Sequence, residues 1–76
     1  MAEQMVRLIY PPNLLNMPIL NQLIRKHTKL GVNIIRAEVS PNEGWLEVEF
    51  VGDQVLIDEA VVWLKEQGIE IRPISK

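Results

Sequence analysis

Side chains that could act as a nucleophile or a base are scarce in this sequence. It has no cysteine and one histidine, His27, which is followed directly by Thr28. A nucleophile needs an adjacent base and an orienting group. Successive residues of a helix point about 100° apart, so His27 and Thr28 do not form a dyad. The other hydroxyl candidates are Ser40 and Ser75, and no nucleophilic catalysis is expected.

Two glutamates offer the second chemical possibility. Glu47 and Glu49 lie two residues apart in a strand-like segment, so they share a face, and paired carboxylates can carry out acid–base catalysis. Arg7 and Arg36 are expected on the strands at either side, where opposite charges meet across the sheet. The pattern favours a surface ion-pair network, and the chain is predicted not to be an enzyme.

The composition limits the class of protein. Seventy-six residues make a single domain, 1–76, and a hydrophobic share of 47% is enough for it to fold. The formal net charge of −2 leaves no basic surface for nucleic acid or an anionic membrane. The absence of cysteine excludes thiolate metal sites and iron–sulfur clusters, so no cofactor is expected. Without a cationic leader or a long apolar run, the chain is predicted to be cytoplasmic, with no membrane insertion.

Hydrophobic periodicity alternates along the chain between two and about 3.6 residues. Strands are predicted at 5–10, 32–40, 45–51 and 69–72, with a hairpin turn at 41–44 and helices beginning near Pro18 and Asp53. The order βαββαβ with right-handed crossovers gives a four-stranded antiparallel sheet of order 4-1-3-2. Both helices lie on one face, which is the ferredoxin-like α+β fold.

The helix ends carry capping residues. Asn16 is a candidate cap for the first helix, with Pro18 in its first turn. Gly31 is expected to end that helix with a positive φ, and Gly68 to end the second. The inner stripes are predicted to be Leu20, Leu23, Ile24, His27 and Leu30 in the first helix, and Ile57, Ala60, Val61 and Leu64 in the second.

The sheet face that the helices leave open is predicted to carry both charges and apolar side chains. The residues assigned to it are Met5, Arg7, Ile9, Ile34, Arg36, Glu38, Trp45, Glu47, Glu49, Val51, Glu70, Arg72 and Ile74. One interpretation is a solvated charge ladder. The other is a partner surface, because Trp45 and its aliphatic neighbours add apolar area that charge pairing does not explain. The second helix also has surplus apolar residues, among them Val62 and Trp63.

Two segments are candidates for binding. Residues 10–18 form a proline-stiffened connection that ends at a helix N-terminus, where unpaired N–H groups can hold a carboxylate. Residues 31–37 place Asn33 in an otherwise apolar strand, although asparagine is disfavoured in strands. Its amide offers a donor and an acceptor, which suits an amino-acid head group. The alternative is that Asn33 satisfies a backbone group at the start of the strand.

At these residues the sequence resembles the NIL domain family, named for an Asn-Ile-Leu motif. The motif is present as Asn33-Ile34-Ile35, followed by Arg36-Ala37-Glu38-Val39, with isoleucine in place of leucine. Met17-Pro18 before the first helix and the 52–69 stretch agree as well. The family is ferredoxin-like and is best known as the C-terminal regulatory domain of the ATPase subunit of bacterial methionine ABC importers. There, paired domains bind methionine and stop transport; other members are fused to ferredoxin-type domains or stand alone.

The resemblance implies that Asn33, Ile34 and Ile35 contact a ligand. The chain has no phosphate-binding GK[ST] loop, so it is not itself the ATPase. We expect a stand-alone regulatory module that senses methionine or a related amino acid. The alternative is a ligand-free adaptor that docks on a transporter, a ferredoxin or an enzyme of sulfur metabolism. The surplus apolar surface and an open sheet edge predict a homodimer.

Overall fold

Four strands and two helices follow the order that the periodicity predicts. The computed structural model describes residues 1–74, so Ser75 lies outside the described residues. The elements are β1 (Ala2–Tyr10), a 3-10 turn (Pro12–Leu14), α1 (Ile19–Lys26), β2 (Gly31–Val39), β3 (Gly44–Gly52), α2 (Gln54–Glu66) and β4 (Glu70–Pro73). The sheet order is β2-β3-β1-β4 with antiparallel neighbours, which is the predicted 4-1-3-2 order. The predicted fold is confirmed.

The core lies between the central strands and the helices. Val6, Leu8 and Tyr10 alternate along β1 on the helix side, and Val48 and Phe50 continue this layer on β3. The helices contribute a buried layer consisting of Ile19, Leu23, Ile57, Ala60 and Leu64. Strict alternation in β1 and β3 therefore gives one buried face and one face without helices.

Helix α1 differs from its prediction at both ends. Pro18, rather than Asn16, is the N-cap residue, and no side chain caps the helix. The helix ends at Lys26, with His27 as the C-cap residue. Gly31 is the first residue of β2 and has no positive φ, so its predicted capping role was wrong.

The buried stripe of α1 is also rotated relative to the prediction. Ile19 and Leu23 are buried, whereas Ile24 is 47% exposed and Leu20 is partly buried. Pro18 is the N-cap residue, so Ile19 is the first residue of the helix, and it is buried against the core. Ile24 was therefore wrongly assigned to the inner stripe.

Helix α2 ends at Glu66 with Gln67 as its C-cap residue, and Gly68 terminates it just after the cap, as predicted. Gly68 has a φ of +98°, its N–H bonds the carbonyl of Lys65, and the N–H of Ile69 bonds the carbonyl of Leu64. This pair of bonds is the Schellman arrangement, which needs a residue in the left-handed region after the cap. No helix within residues 1–74 combines the length and the apolar character needed to cross a membrane.

Candidate functional site

The three residues of the Asn-Ile-Ile motif lie on β2, at the edge of the sheet. In the described chain β2 pairs with β3 alone, so its outer backbone groups face away from the sheet. Ile34 is 56% exposed and Ile35 is 45% exposed. An edge strand of nine residues with large apolar side chains is a surface suited to pairing with another chain.

A β-bulge lies at Ile35, the last residue of the motif. Asn33 lies opposite Glu49 and Arg36 lies opposite Glu47, so the strand gains one residue between them. Ile34 lies opposite the buried Val48, which places it on the helix side of the sheet. The assignment of Ile34 to the open face was therefore wrong; Asn33 is on that face instead.

The amide of Asn33 is only weakly engaged within the chain. Its Nδ2 lies 3.5 Å from Oε1 of Glu49, longer than an ordinary N–H···O hydrogen bond. The residue is exposed. The amide is therefore available to another polar group. Within one copy the motif residues are exposed at the sheet edge, with Asn33 on the open face and Ile34 on the helix side.

A transverse row of charges crosses the open face. It runs through all four strands in register as Arg36, Glu47, Arg7 and Arg72. Both Nε and Nη2 of Arg7 donate to Oε2 of Glu47, at 3.1 and 2.6 Å. Arg36 donates to Oε1 at 2.6 Å. One carboxylate thus holds two guanidinium groups, which confirms the predicted network around Glu47.

Burial and the two guanidinium partners have opposite effects on the pKa of the Glu47 carboxyl. The residue is 4% exposed. Hydrogen bonds from Arg7 and then Arg36 hold the pKa of its carboxyl below the ordinary value, and these outweigh the opposing effect of burial. The guanidinium of Arg7 also lies 4.7 Å from the centre of the Trp45 ring, a cation–π contact. The row thus contains an ion-pair network centred on Glu47.

A crevice of about 170 Å³ lies where the start of α1 meets the β2–β3 hairpin end. We call it the first-turn crevice; its lining residues are Tyr10, Leu15, Met17, Pro18, Ile19, Leu20, Asn21, Val39, Gly44 and Leu46. The absence of a side chain at Gly44 lets Leu15 pack closely against the backbone there, since a Cβ on residue 44 would lie 2.6 Å from Cδ2 of Leu15. The sequence indicated the 10–18 segment, but nothing local predicted that residues 39, 44 and 46 would close it.

A second concavity lies between the end of α1 and α2. It measures about 430 Å³ and is lined by Lys26, His27, Asp58, Glu59, Val62, Trp63 and Glu66. His27 is partly buried, and its Nε2 is shielded and has no hydrogen-bond partner among residues 1–74. Val62 is 57% exposed, so part of the surplus apolar surface predicted for the second helix is solvent-facing.

The described part of the chain has no cluster of side chains suited to binding a metal ion. Residues 1–74 contain no group of three or more histidine, aspartate or glutamate side chains that could hold an ion.

Comparisons with known proteins agree with this architecture. Residues 4–73 match the NIL domain. The chain is 34% identical over 62 residues to the L-aspartate semialdehyde sulfurtransferase iron-sulfur subunit of Methanocaldococcus jannaschii. That match covers 82% of this chain and 46% of the relative, so the chain spans less than half of that protein.

Solved structures show the same fold. The C-terminal domain of an ABC transporter ATP-binding protein from Enterococcus faecalis superposes with a TM-score of 0.78 at 21% identity, covering 96% of this chain and 84% of that one. The designed protein Foldit4 gives a TM-score of 0.60 at 11% identity, covering 97% and 96% of the two chains. The family match extends over nearly all of the described residues, and the chain belongs to the NIL domain family.

Proposed function

We propose that this chain is a cytoplasmic, non-catalytic regulatory module that binds methionine or a related amino acid at β2 and acts as a homodimer. The observation that carries the proposal is the exposed motif edge, where the exposed Asn33 is followed along β2 by two half-exposed isoleucines. Membership in the NIL family supports it. The solved relative that is the C-terminal domain of a transporter ATP-binding protein supports a regulatory role.

The chemistry of the edge suits a small zwitterion with an apolar side chain. The amide of Asn33 can donate to a carboxylate and accept from an ammonium group. Ile34 and Ile35 offer apolar surface for a thioether. Four buried CH₂-sized groups at ~0.8 kcal/mol each give ~3 kcal/mol, so after the cost of association we expect micromolar binding or weaker.

A second copy would complete the site. One copy exposes Asn33 and Ile34 on opposite faces of β2, so neither face alone encloses a ligand. Pairing of two β2 strands would satisfy the outer backbone groups and cover the exposed isoleucines and Val39. A two-fold axis across the edge would then place two motif segments next to each other.

A melting screen tests the ligand class. The chain is heated with each of the twenty amino acids, homocysteine or S-adenosylmethionine at millimolar concentration. A ligand that binds only the folded state raises Tm. We expect methionine or a close relative to raise Tm, and Asn33→Ala to remove the effect. A flat response to all of these compounds contradicts the proposal.

An adaptor function is the second candidate. The concavity beside Val62 and Trp63 and the Trp45 side of the open face provide apolar area outside the motif. The sulfurtransferase relative is one subunit of a larger enzyme. If partner capture from a native lysate survives Asn33→Ala but not Trp63→Ala, the adaptor function is favoured over the sensor.

A further inference from the structure

We infer that the open face of the sheet carries a separate binding site, which holds a small phosphate dianion between Arg7 and Arg72. The site is a concavity of about 400 Å³ that we call the arginine concavity; its lining residues are Arg7, Arg36, Glu47, Arg72, Pro73 and Ile74. Asn33, Ile34 and Ile35 do not line it, so the inference is independent of the amino-acid site proposed above.

The order of charges along the transverse row is the first observation. From β2 to β4 the row reads Arg36, Glu47, Arg7 and Arg72, so a carboxylate lies between the first two arginines. Arg7 and Arg72 are direct register partners, and the described sheet places no carboxylate between them. Like charges directly opposite on neighbouring strands are destabilising. An anion bound between these two guanidinium groups would remove their repulsion and continue the alternation of charge.

The guanidinium groups also keep donors that the ion pairs leave unused. Arg7 and Arg36 each bind Glu47 through Nε and Nη2, which leaves Nη1 of both groups over among the contacts of residues 1–74. Arg72 pairs with Glu70 through Nε, which leaves its two Nη groups over. The Arg72 side chain is 67% exposed, so these donors are accessible. Guanidinium groups bind phosphate oxygens through paired N–H donors of this kind.

Three contacts order this part of the face in the absence of an anion. The guanidinium of Arg7 is bound by the carboxylate of Glu47 and lies 4.7 Å from the centre of the Trp45 ring. The N–H of Ile74 donates to the carbonyl of Met5 at 3.1 Å, which fixes one wall of the concavity to β1. A site whose side chains are already ordered loses less conformational entropy when its ligand binds.

The charge of the lining determines which anion fits. Three guanidinium groups against one carboxylate leave the lining with an excess of two positive charges, although the whole chain carries a net charge of −2. A phosphate ester carries a charge of about −1.5 to −2 at pH 7 and therefore matches this excess, whereas chloride or a monocarboxylate matches half of it. Pro73 and Ile74 add apolar surface on which the organic part of an ester can pack.

Inorganic phosphate and phenyl phosphate are the probes for this site. The chain, labelled with ¹⁵N, is titrated with each at about pH 7.5, where most of the phosphate is the dianion, and sodium chloride keeps the ionic strength constant. We expect saturable shifts of the Nε–H resonances of Arg7 and Arg72 and of the Ile74 amide, with a Kd of ~1–10 mM. Tighter binding of phenyl phosphate would identify an ester as the ligand, and equal binding would identify the free ion.

Removal of one guanidinium tests the loss of binding. Arg72→Gln should weaken phosphate binding ~10-fold or more, because it removes the two free Nη groups and one positive charge. The Arg72 side chain is exposed and does not contact Glu47, so this variant should fold. Arg25→Gln, in the exposed last turn of α1, makes the same charge change away from the sheet face and should leave binding unchanged.

Removal of the competing carboxylate tests a gain of binding, which a folding defect cannot imitate. Glu70→Gln takes away the group that pairs with Arg72, so phosphate binding should strengthen ~3-fold or more. Glu66→Gln, at the exposed end of α2, makes the same charge change away from the concavity and should leave binding unchanged.

Each of the following results would overturn the site: no saturable shift up to ~50 mM phosphate, which is well above the expected Kd; equal binding by Arg72→Gln and Arg25→Gln; no stronger binding by Glu70→Gln than by Glu66→Gln; or shifts confined to the first turns of the helices. Loss of methionine binding in Asn33→Ala, by contrast, concerns only the motif edge. The two proposals therefore fail separately.

Discussion

Arg36 and Glu47 face each other across β2 and β3, with Nε and Oε1 2.6 Å apart. This pairing depends on the bulge at Ile35, because an unbroken strand would turn the Arg36 side chain to the helix side. Arg7 reaches the other oxygen of the same carboxylate. One carboxylate therefore links three of the four strands of the sheet.

The Glu47 network should make stability depend on pH in the acid range. Its folded pKa is lowered, so the unfolded chain binds the proton more readily and stability rises with pH. The contribution is present above about pH 4.3, the ordinary glutamate value, and is lost as pH falls through the lowered folded value. Urea unfolding of wild type and Glu47→Gln at several pH values measures this.

The Glu47→Gln variant should be less stable than wild type at pH 7, and the difference should shrink steadily as pH falls below 4. Glu43→Gln, on the exposed hairpin, is the matched control and should follow wild type at every pH. A constant difference in the free energy of unfolding between wild type and Glu47→Gln across the acid range would contradict the link between stability and ionisation of Glu47.

The rotated stripe of α1 predicts unequal costs for two neighbouring residues. Leu23 is fully buried and Ile24 is 47% exposed. Leu23→Ala should reduce the free energy of unfolding by ~2–5 kcal/mol, through lost burial and the cavity left behind. Ile24→Ala should cost less than ~1 kcal/mol. Chemical denaturation measures both, and similar losses would mean that the stripe has been placed wrongly.

The left-handed conformation of Gly68 should make its substitution costly. Gly68 has a φ of +98°, where an L side chain is strained, and Leu14 Cδ1 would lie 3.3 Å from an added Cβ. Gly68→Ala should cost ~1–2 kcal/mol. Gln67→Ala, at the preceding cap with a φ of −78°, should be nearly neutral. Equal unfolding midpoints for the two variants would argue against the Schellman end.

The exposed β2 edge should support self-association. Sedimentation at high micromolar concentration should show a dimer, and Val39→Lys should weaken it at least ~10-fold because charge on an edge strand opposes pairing. Val39 is 69% exposed, and Val55, at 66% on α2, is the matched site for a lysine control. A monomeric wild type, or equal weakening of the dimer by Val55→Lys, would contradict dimerisation through β2.

The sequence predicted the sheet well because alternation in β1 and β3 is strict. Only one face of these strands can be buried, and its side chains include Val6, Leu8, Val48 and Phe50. The antiparallel order follows from the short connections and the right-handed crossovers. The end of the second helix at Gly68 was predicted for a similar local reason, since glycine takes a positive φ without strain.

The wrong assignments of side chains to a face, at Ile34 and Ile24, lie where two neighbouring apolar residues allow two positions of the hydrophobic pattern. Ile34 and Ile35 both read as apolar, so the pattern could not show which one bulges. Ile19 and Leu20 pose the same ambiguity in α1, and packing on the sheet decides between them. The first-turn crevice joins residues far apart in sequence, which no local pattern reveals.

Binding of an amino acid at Asn33 is tested most directly by calorimetric titration of the wild-type chain with methionine at millimolar concentration, repeated for Asn33→Ala and Asn42→Ala. Asn42 is an exposed asparagine on the hairpin, outside the motif. Wild type and Asn42→Ala should both give saturable heat, and Asn33→Ala should give none. No heat from wild type, or the same heat from all three chains, would contradict the assignment of Asn33 to an amino-acid site.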